Sequence, residues 1–168
     1  MLLSLKSEAL FLILFTIIPC RVLAWSGKVV DVASGEVITV VRNGELVKVV
    51  LYGIDCPEEQ QPFSHEAQKF TAKMVLGKNA EIEQIREDKQ GKIVAIVAVE
   101  RRLLNEEIVK AGLGWVHSHS CSWPICETWK ALQLRAKLDK LGLWQETEPT
   151  APWVFRRKRN TDIGVNSD

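Results

Sequence analysis

Net charge is what this chain lacks most plainly. Its 168 residues carry 22 basic and 21 acidic side chains. Such a surface sets up no long-range field, so nucleic acid or any other polyanion has to be held by local patches. Long apolar runs are also missing beyond the N-terminus. The run from Ala9 to Ile18 is too short to cross a bilayer with good margins. With Lys6 before it and Val22-Leu23-Ala24 after it, the run reads as a secretory signal peptide over residues 1–24, an uncleaved N-terminal anchor being the alternative. Cys20 follows Pro19 and lacks the small residue expected before a lipidated cysteine. Cleavage removes Lys6, Arg21 and Glu8 from the 22 basic and 21 acidic side chains, leaving 20 of each.

Cysteine is scarce as well. Beyond residue 24 only Cys56, Cys121 and Cys126 remain. In an oxidising compartment Cys121 and Cys126 suit a disulfide closing the loop Ser122-Trp123-Pro124-Ile125. With His117 and His119 nearby, the same cysteines offer a zinc alternative, although the spacing fits no common zinc module. Cys56 has no histidine beside it in sequence and reads as a small semi-buried filler rather than a nucleophile. The length suits one compact domain and is too short for two ordinary ones.

What is present begins with Leu51-Tyr52-Gly53-Ile54-Asp55-Cys56-Pro57-Glu58. Val49, Leu51, Gly53 and Asp55 alternate with Val50, Tyr52 and Ile54, which predicts a strand buried on both sides. Pro57 cannot donate to a ladder and biases Cys56 away from helix, so the strand stops there. Asp55 and Glu58 then stand at a strand end, where a barrel or sheet opens to solvent; a solvated acidic turn is the plainer reading.

The first third of the chain beyond the leader reads as β. Lys28–Val32, Val37–Arg42 and Glu45–Leu51 are β-branched runs, and Asn43-Gly44 is a two-residue hairpin signal. A helix is expected from Ser64, as N-cap, to Leu76, with Ala67, Phe70, Met74 and Val75 inward and Gly77 as the stop. Ala80–Ile85 and Ile93–Val99 predict two more strands around the turn at Asp88–Gly91. A short helix follows, from Asn105 as N-cap to Gly112. The last helix, Glu127–Leu141, places Leu134, Leu138 and Leu141 on one face. Five strands with a helix after the third fit a small closed barrel capped by helices. Beyond Pro152-Trp153, the run Arg156-Arg157-Lys158-Arg159 reads as a solvated, poorly ordered tail, with phosphate contact as the alternative. The tryptophans 115, 123, 129, 144 and 153 read as core and interface fillers, with base stacking as the alternative.

Several of these segments occur in a telling order: Ser34-Gly35-Glu36-Val37, the Gly53–Glu58 turn, Asp88–Lys92, Leu104–Leu113, Gly142-Leu143-Trp144 and Pro152-Trp153. This series resembles the staphylococcal nuclease (thermonuclease) family over roughly Gly27 to Arg157. The resemblance implies an α+β fold: a five-stranded oligonucleotide/oligosaccharide-binding (OB) barrel with about three helices, over residues 25–146, followed by a tail at 147–168. It also implies a calcium-dependent phosphodiesterase acting on single-stranded or denatured DNA or RNA; the leader places it in the periplasm or outside the cell.

On that resemblance Asp55 is a calcium ligand and Glu58 acts on the water, both intact. Glu36 stands where the family has its other aspartate, and calcium accepts either carboxylate. Val50 stands where the first phosphate-binding arginine belongs. Lys48, two residues back on the same strand face, is the substitute considered, from about 6–7 Å further along. Lys92 replaces the second arginine and lacks its planar fork. One lost transition-state donor costs ~3–4 kcal/mol, about 10²–10³ in rate. The expected enzyme is therefore a slow nuclease. The alternative is a catalytically degenerate OB module that binds nucleic acid, another polyanion or a protein partner.

Overall fold

The computed structural model describes residues 23–165; of the expected leader, only Leu23 and Ala24 fall within them. Strand β1 (Leu23–Val32) pairs antiparallel with β2 (Val37–Arg42), which turns through Asn43-Gly44 into β3 (Glu45–Leu51). Asn43 and Gly44 take φ of 52° and 87°, the doubly positive turn that suits the right-handed twist of a hairpin. β4 (Ile54–Asp55) lies outside the main sheet. After helix α1 (Ser64–Val75) come β5 (Asn79–Glu87) and β6 (Ile93–Val99), β7 (Arg102–Leu103), α2 (Leu104–Lys110), β8 (Trp115–Val116) and α3 (Ile125–Leu138). A 3₁₀ turn at Gly142–Gln145 and α4 (Pro152–Val165) complete the order.

The strands run β3-β2-β1-β5-β6, and a parallel pairing of β3 with β6 closes the ring through Val49↔Ile93, Val50↔Val94 and Leu51↔Ala95. The five-stranded barrel expected from the sequence is therefore present, with four helices and one 3₁₀ turn about it among the described residues. Its interior is aliphatic: Val29, Ile38, Val40, Val49, Ile82 and Val97 are fully buried.

The run from Val49 to Asp55 is not one strand. Gly53, at φ 70°, breaks it, and β4 pairs instead with β8 through Ile54↔Val116 and Asp55↔Trp115. A Cβ on Gly53 would stand 2.4 Å from Cys121 Sγ, so the turn needs glycine for space as well as for φ. Cys121 and Cys126 are joined as a disulfide, with Cα atoms 5.8 Å apart, and Cys56 is free and buried.

Two expected caps have other roles. The α1 N-cap is Phe63, at φ 65° and with no side-chain cap bond, and Ser64 is already helical. Asn105 is fully buried inside α2. Its Oδ1 accepts the Val97 N–H at 2.9 Å, and its Nδ2 donates to the carbonyls of Tyr52 (3.0 Å) and Ala95 (3.3 Å). The leucine face expected for the last helix lies outside the core, and Leu141 falls beyond the end of α3. Leu134, Leu138 and Leu141 are 58, 71 and 41% exposed, while Cys126, Trp129 and Ala136 face inward. The disulfide at Cys126 and the Val116 N–H donated to Gln133 Oε1 tie down the opposite side of the helix, and three leucines cannot outvote them.

Replacing Asn105 with alanine leaves buried donors and acceptors unpaired where the chain departs from the barrel wall. Asn105→Ala is expected to lower the unfolding free energy by about 2–4 kcal/mol in urea titrations, and a loss under 1 kcal/mol would show that the side chain holds nothing.

Candidate active site

Asp55 ends β4 at the rim of the barrel, 8% exposed. Glu58 follows on a loop fixed by Gln61, whose Oε1 accepts the Glu58 N–H at 2.9 Å while its Nε2 donates to the Thr150 carbonyl at 2.9 Å. One buried amide thus ties the Glu58 loop to the segment leading into α4. Glu36 sits on the β1–β2 connection. The Gly35 carbonyl accepts from Thr71 Oγ1 at 2.7 Å, the Glu36 carbonyl from the Leu51 N–H at 2.9 Å, and Glu36 Oε2 from the Cys56 N–H at 3.1 Å. Gly35 leaves room for Cys56, whose Sγ would stand 2.7 Å from an added Cβ.

Glu36 and Asp55 line one open depression of about 300 Å³ with Val37, Val50, Ile54, Asp88, Lys92, His117, Ser120 and Arg156. Lys92 follows a turn organised by Asp88, whose Oδ1 accepts the N–H groups of Gln90 (2.8 Å) and Lys92 (2.9 Å). Those bonds, the Lys92 N–H first, hold the Asp88 carboxyl below its ordinary range. Lys48 is exposed on β3 opposite Thr39 and is not among the residues of the depression. Val50 is, and its partners across the ladder, Val37 and Val94, leave that part of the wall without a donor.

Arg156 changes the picture. The basic run expected to be a loose tail lies in α4; Arg157, Lys158 and Arg159 are exposed as expected, but Arg156 turns onto the carboxylates. Nη1 donates to Asp55 Oδ1 at 3.0 Å and Nη2 to Asp55 Oδ2 at 2.8 Å, and Nη1 also reaches Glu58 Oε1. These bonds, those to Asp55 first, raise the guanidinium pKa further. The helix is seated by Trp153, whose ring meets His117 edge-on at 4.8 Å and Trp115 at 5.7 Å. Trp115 also packs on Trp144 at 4.3 Å, and Lys137 lies over both rings. These tryptophans pack on one another and on His117 beside the site.

Glu36 has no such cation. Enclosure first, then the charge of Asp55, push its carboxyl up to about 7, against the pull of the Cys56 N–H. Cys121 and Cys126 are joined to each other, so neither offers a thiolate for the zinc reading; among the described residues no three His, Cys, Asp or Glu side chains stand close enough to enclose a metal ion by themselves. Glu36 and Asp55 offer hard oxygen donors at an open mouth. That set fits a divalent cation that keeps much of its water, as calcium and magnesium do.

A family model described as staphylococcal nuclease homologue matches residues 48–146. This chain belongs to the staphylococcal nuclease family. Among relatives, it is similar to an uncharacterized endonuclease of Escherichia coli, 29% identical over 134 residues that cover 79% of this chain and 86% of the relative. A second uncharacterized endonuclease, from Haemophilus influenzae, is 27% identical over 140 residues, 83% of this chain and 77% of the relative. A micrococcal nuclease of Shigella flexneri is 24% identical over 166 residues, 92% of each chain. Within this family frame, the sequence located Glu36, Asp55, Glu58 and Lys92 on one rim. It offered Arg156 only within a basic run for which phosphate contact was the alternative reading, and it did not place Gln61, Asp88, His117 or Ser120 there. Asp88 was within reach as the first residue of a recognised turn; the contacts of Gln61 with Thr150 and of Arg156 with Asp55 span 89 and 101 residues and leave no local signal.

The raised Glu36 carboxyl makes stability depend on pH. A carboxyl at about 7 when folded and near 4.5 when unfolded binds its proton more tightly in the folded state. The stability this contributes is fully present below the unfolded value and is lost as pH rises through the folded one. In buffers free of divalent ions, Glu36→Gln is expected to flatten the fall in unfolding free energy between pH 4.5 and 8 by up to ~3 kcal/mol. Parallel urea titrations of wild type and variant across that range check it.

Proposed function

We propose that this nuclease-family chain hydrolyses phosphodiester bonds of single-stranded or denatured DNA or RNA with the help of calcium, and does so slowly. The observation that carries the reading is the convergence of Glu36, Asp55 and Lys92 in one open, polar mouth at the barrel rim, with Glu58 joined to it through Arg156. Glu36 and Asp55 would hold calcium, which when bound supplies positive charge beside the scissile phosphate. Glu58, 21% exposed at its side chain, takes a proton from the attacking water as its oxygen bonds to phosphorus. The bond from phosphorus to the leaving sugar oxygen breaks, and that oxygen receives the proton. Lys92 offers an ammonium to a phosphate oxygen, a point charge without the two-pronged fit of arginine. Lys48 would act only from the outer edge of the mouth.

The same reading puts the protein outside the cytoplasm. The leader pattern in residues 1–24 and the Cys121–Cys126 disulfide support an oxidising compartment. No helix among the described residues is long and apolar enough to cross a membrane.

The test is release of acid-soluble nucleotides from heat-denatured DNA in calcium and in chelator. Hydrolysis is expected in calcium only, and Glu58→Gln is expected to lower it about 10²–10³-fold. Calcium-independent or absent hydrolysis by a folded protein would overturn the reading and leave the alternative, a barrel kept for binding.

A further inference from the structure

The barrel wall gives the site no arginine. Val50 lies between Val37 and Val94, so the wall where a phosphate would rest is aliphatic on three adjacent strands. Two cationic side chains line the depression: Lys92, from the turn between β5 and β6, and Arg156, from α4. Only Arg156 has the planar fork that matches two oxygens of one phosphate, and that fork already grips an anion through the two oxygens of Asp55 at 3.0 and 2.8 Å.

We propose that Arg156 is the phosphate-binding arginine of this site, supplied from the C-terminal helix in place of the one missing at Val50, and that its ion pair with Asp55 and Glu58 is a resting position it leaves when a phosphodiester enters. The proposal rests on the nuclease reading. Three observations carry it. The guanidinium lines the same depression as Val50, Lys92 and Glu36, so a phosphate held there is within its reach. Its side chain is 39% exposed, against 11 and 21% for Asp55 and Glu58, so an incoming phosphate meets the arginine before the carboxylates. Its helix is fastened independently of the ion pair, by buried Ala151 and Pro152, by Trp153 against His117 and Trp115, and by Gln61 on the Thr150 carbonyl. The backbone stays in place while the side chain exchanges one pair of anionic oxygens for another. The exchange also frees Asp55 and Glu58 to act when substrate is present.

A competing role for the same contact is a plug, in which Arg156 merely neutralises the carboxylates and shuts the site. The two roles predict opposite signs. On the full chain, a fluorescein-labelled single-stranded oligodeoxynucleotide with phosphorothioate linkages, titrated in calcium at several salt concentrations, reads binding without turnover. Arg156→Ala is expected to weaken it at least tenfold and to lower the slope of log Kd against log salt by about 0.7, one phosphate contact on a single strand. In the cleavage assay kcat/KM is expected to fall about 10²–10³-fold for Arg156→Ala and about tenfold for Arg156→Lys, whose charge remains and whose fork is lost. Adding Val50→Arg to Arg156→Ala is expected to recover at least tenfold. Unchanged binding and salt slope, or faster cleavage, in an Arg156→Ala protein that melts like wild type would overturn the proposal in favour of the plug. Should Arg156→Ala not fold, Arg156→Lys with wild-type binding and kcat/KM overturns it equally. Loss of binding with no cleavage even by wild type would leave Arg156 a phosphate ligand and sink the nuclease reading instead.

Discussion

Everything at the rim depends on the chain being made to leave the barrel wall at Tyr52. β3 has just closed the ring against β6, and the next peptide continues that contact through the Tyr52 N–H on the Ala95 carbonyl at 2.7 Å. One residue later the ladder stops. Asn105, reaching from α2, takes the Tyr52 carbonyl, the Ala95 carbonyl and the Val97 N–H together, and so replaces ladder bonds that the departing strand cannot make. Buried peptide groups without partners would otherwise oppose the departure. Gly53 then turns at positive φ, and Ile54 and Asp55 pair with β8 outside the barrel. Asp55 is delivered to the mouth by this detour.

How far the sequence revealed this depended on the range of each interaction. The barrel strands were legible because alternation and the Asn43-Gly44 turn are local properties, and β2, β3 and β6 lie at their expected bounds. Alternation misled at Gly53, since an apolar pattern continues through a break that only φ reveals. In α3 the helical stripe of Leu134 and Leu138 is not the buried face. The buried face is chosen by a disulfide and by a glutamine bonded to β8. Asn105 looked like a cap because asparagine before a helix usually is one; inside α2, its side chain is spent on three backbone partners in other elements.

The acidic half of the site was legible for a related reason. Asp55 and Glu58 flank a proline at a strand end, and Glu36 follows a glycine turn, so their geometry is written nearby. The basic half was legible only at Lys92. Arg156 is one residue in a run of four cations, and no periodicity distinguishes it from Arg157, Lys158 or Arg159. What singles it out is Trp153, three residues earlier, lodged against His117 and Trp115 and fixing the face that α4 turns to the barrel.

That arrangement also accounts for how Glu36, Asp55 and Glu58 share one end of a small barrel. Like charges drawn together in a partly dry mouth oppose folding unless a cation, a proton or hydrogen bonds offset them. Arg156 takes the load from Asp55 and Glu58, and Glu36 is left to the proton and the Cys56 N–H. The site is therefore compensated by groups that can each be exchanged: a proton can be released, and a half-exposed guanidinium can turn. An arginine on the barrel wall at Val50 would act from a fixed place. An arginine on a docked helix gives the folded protein its neutralising charge and keeps that same charge within reach of a phosphate, so the C-terminal helix belongs to the site as much as the strands do.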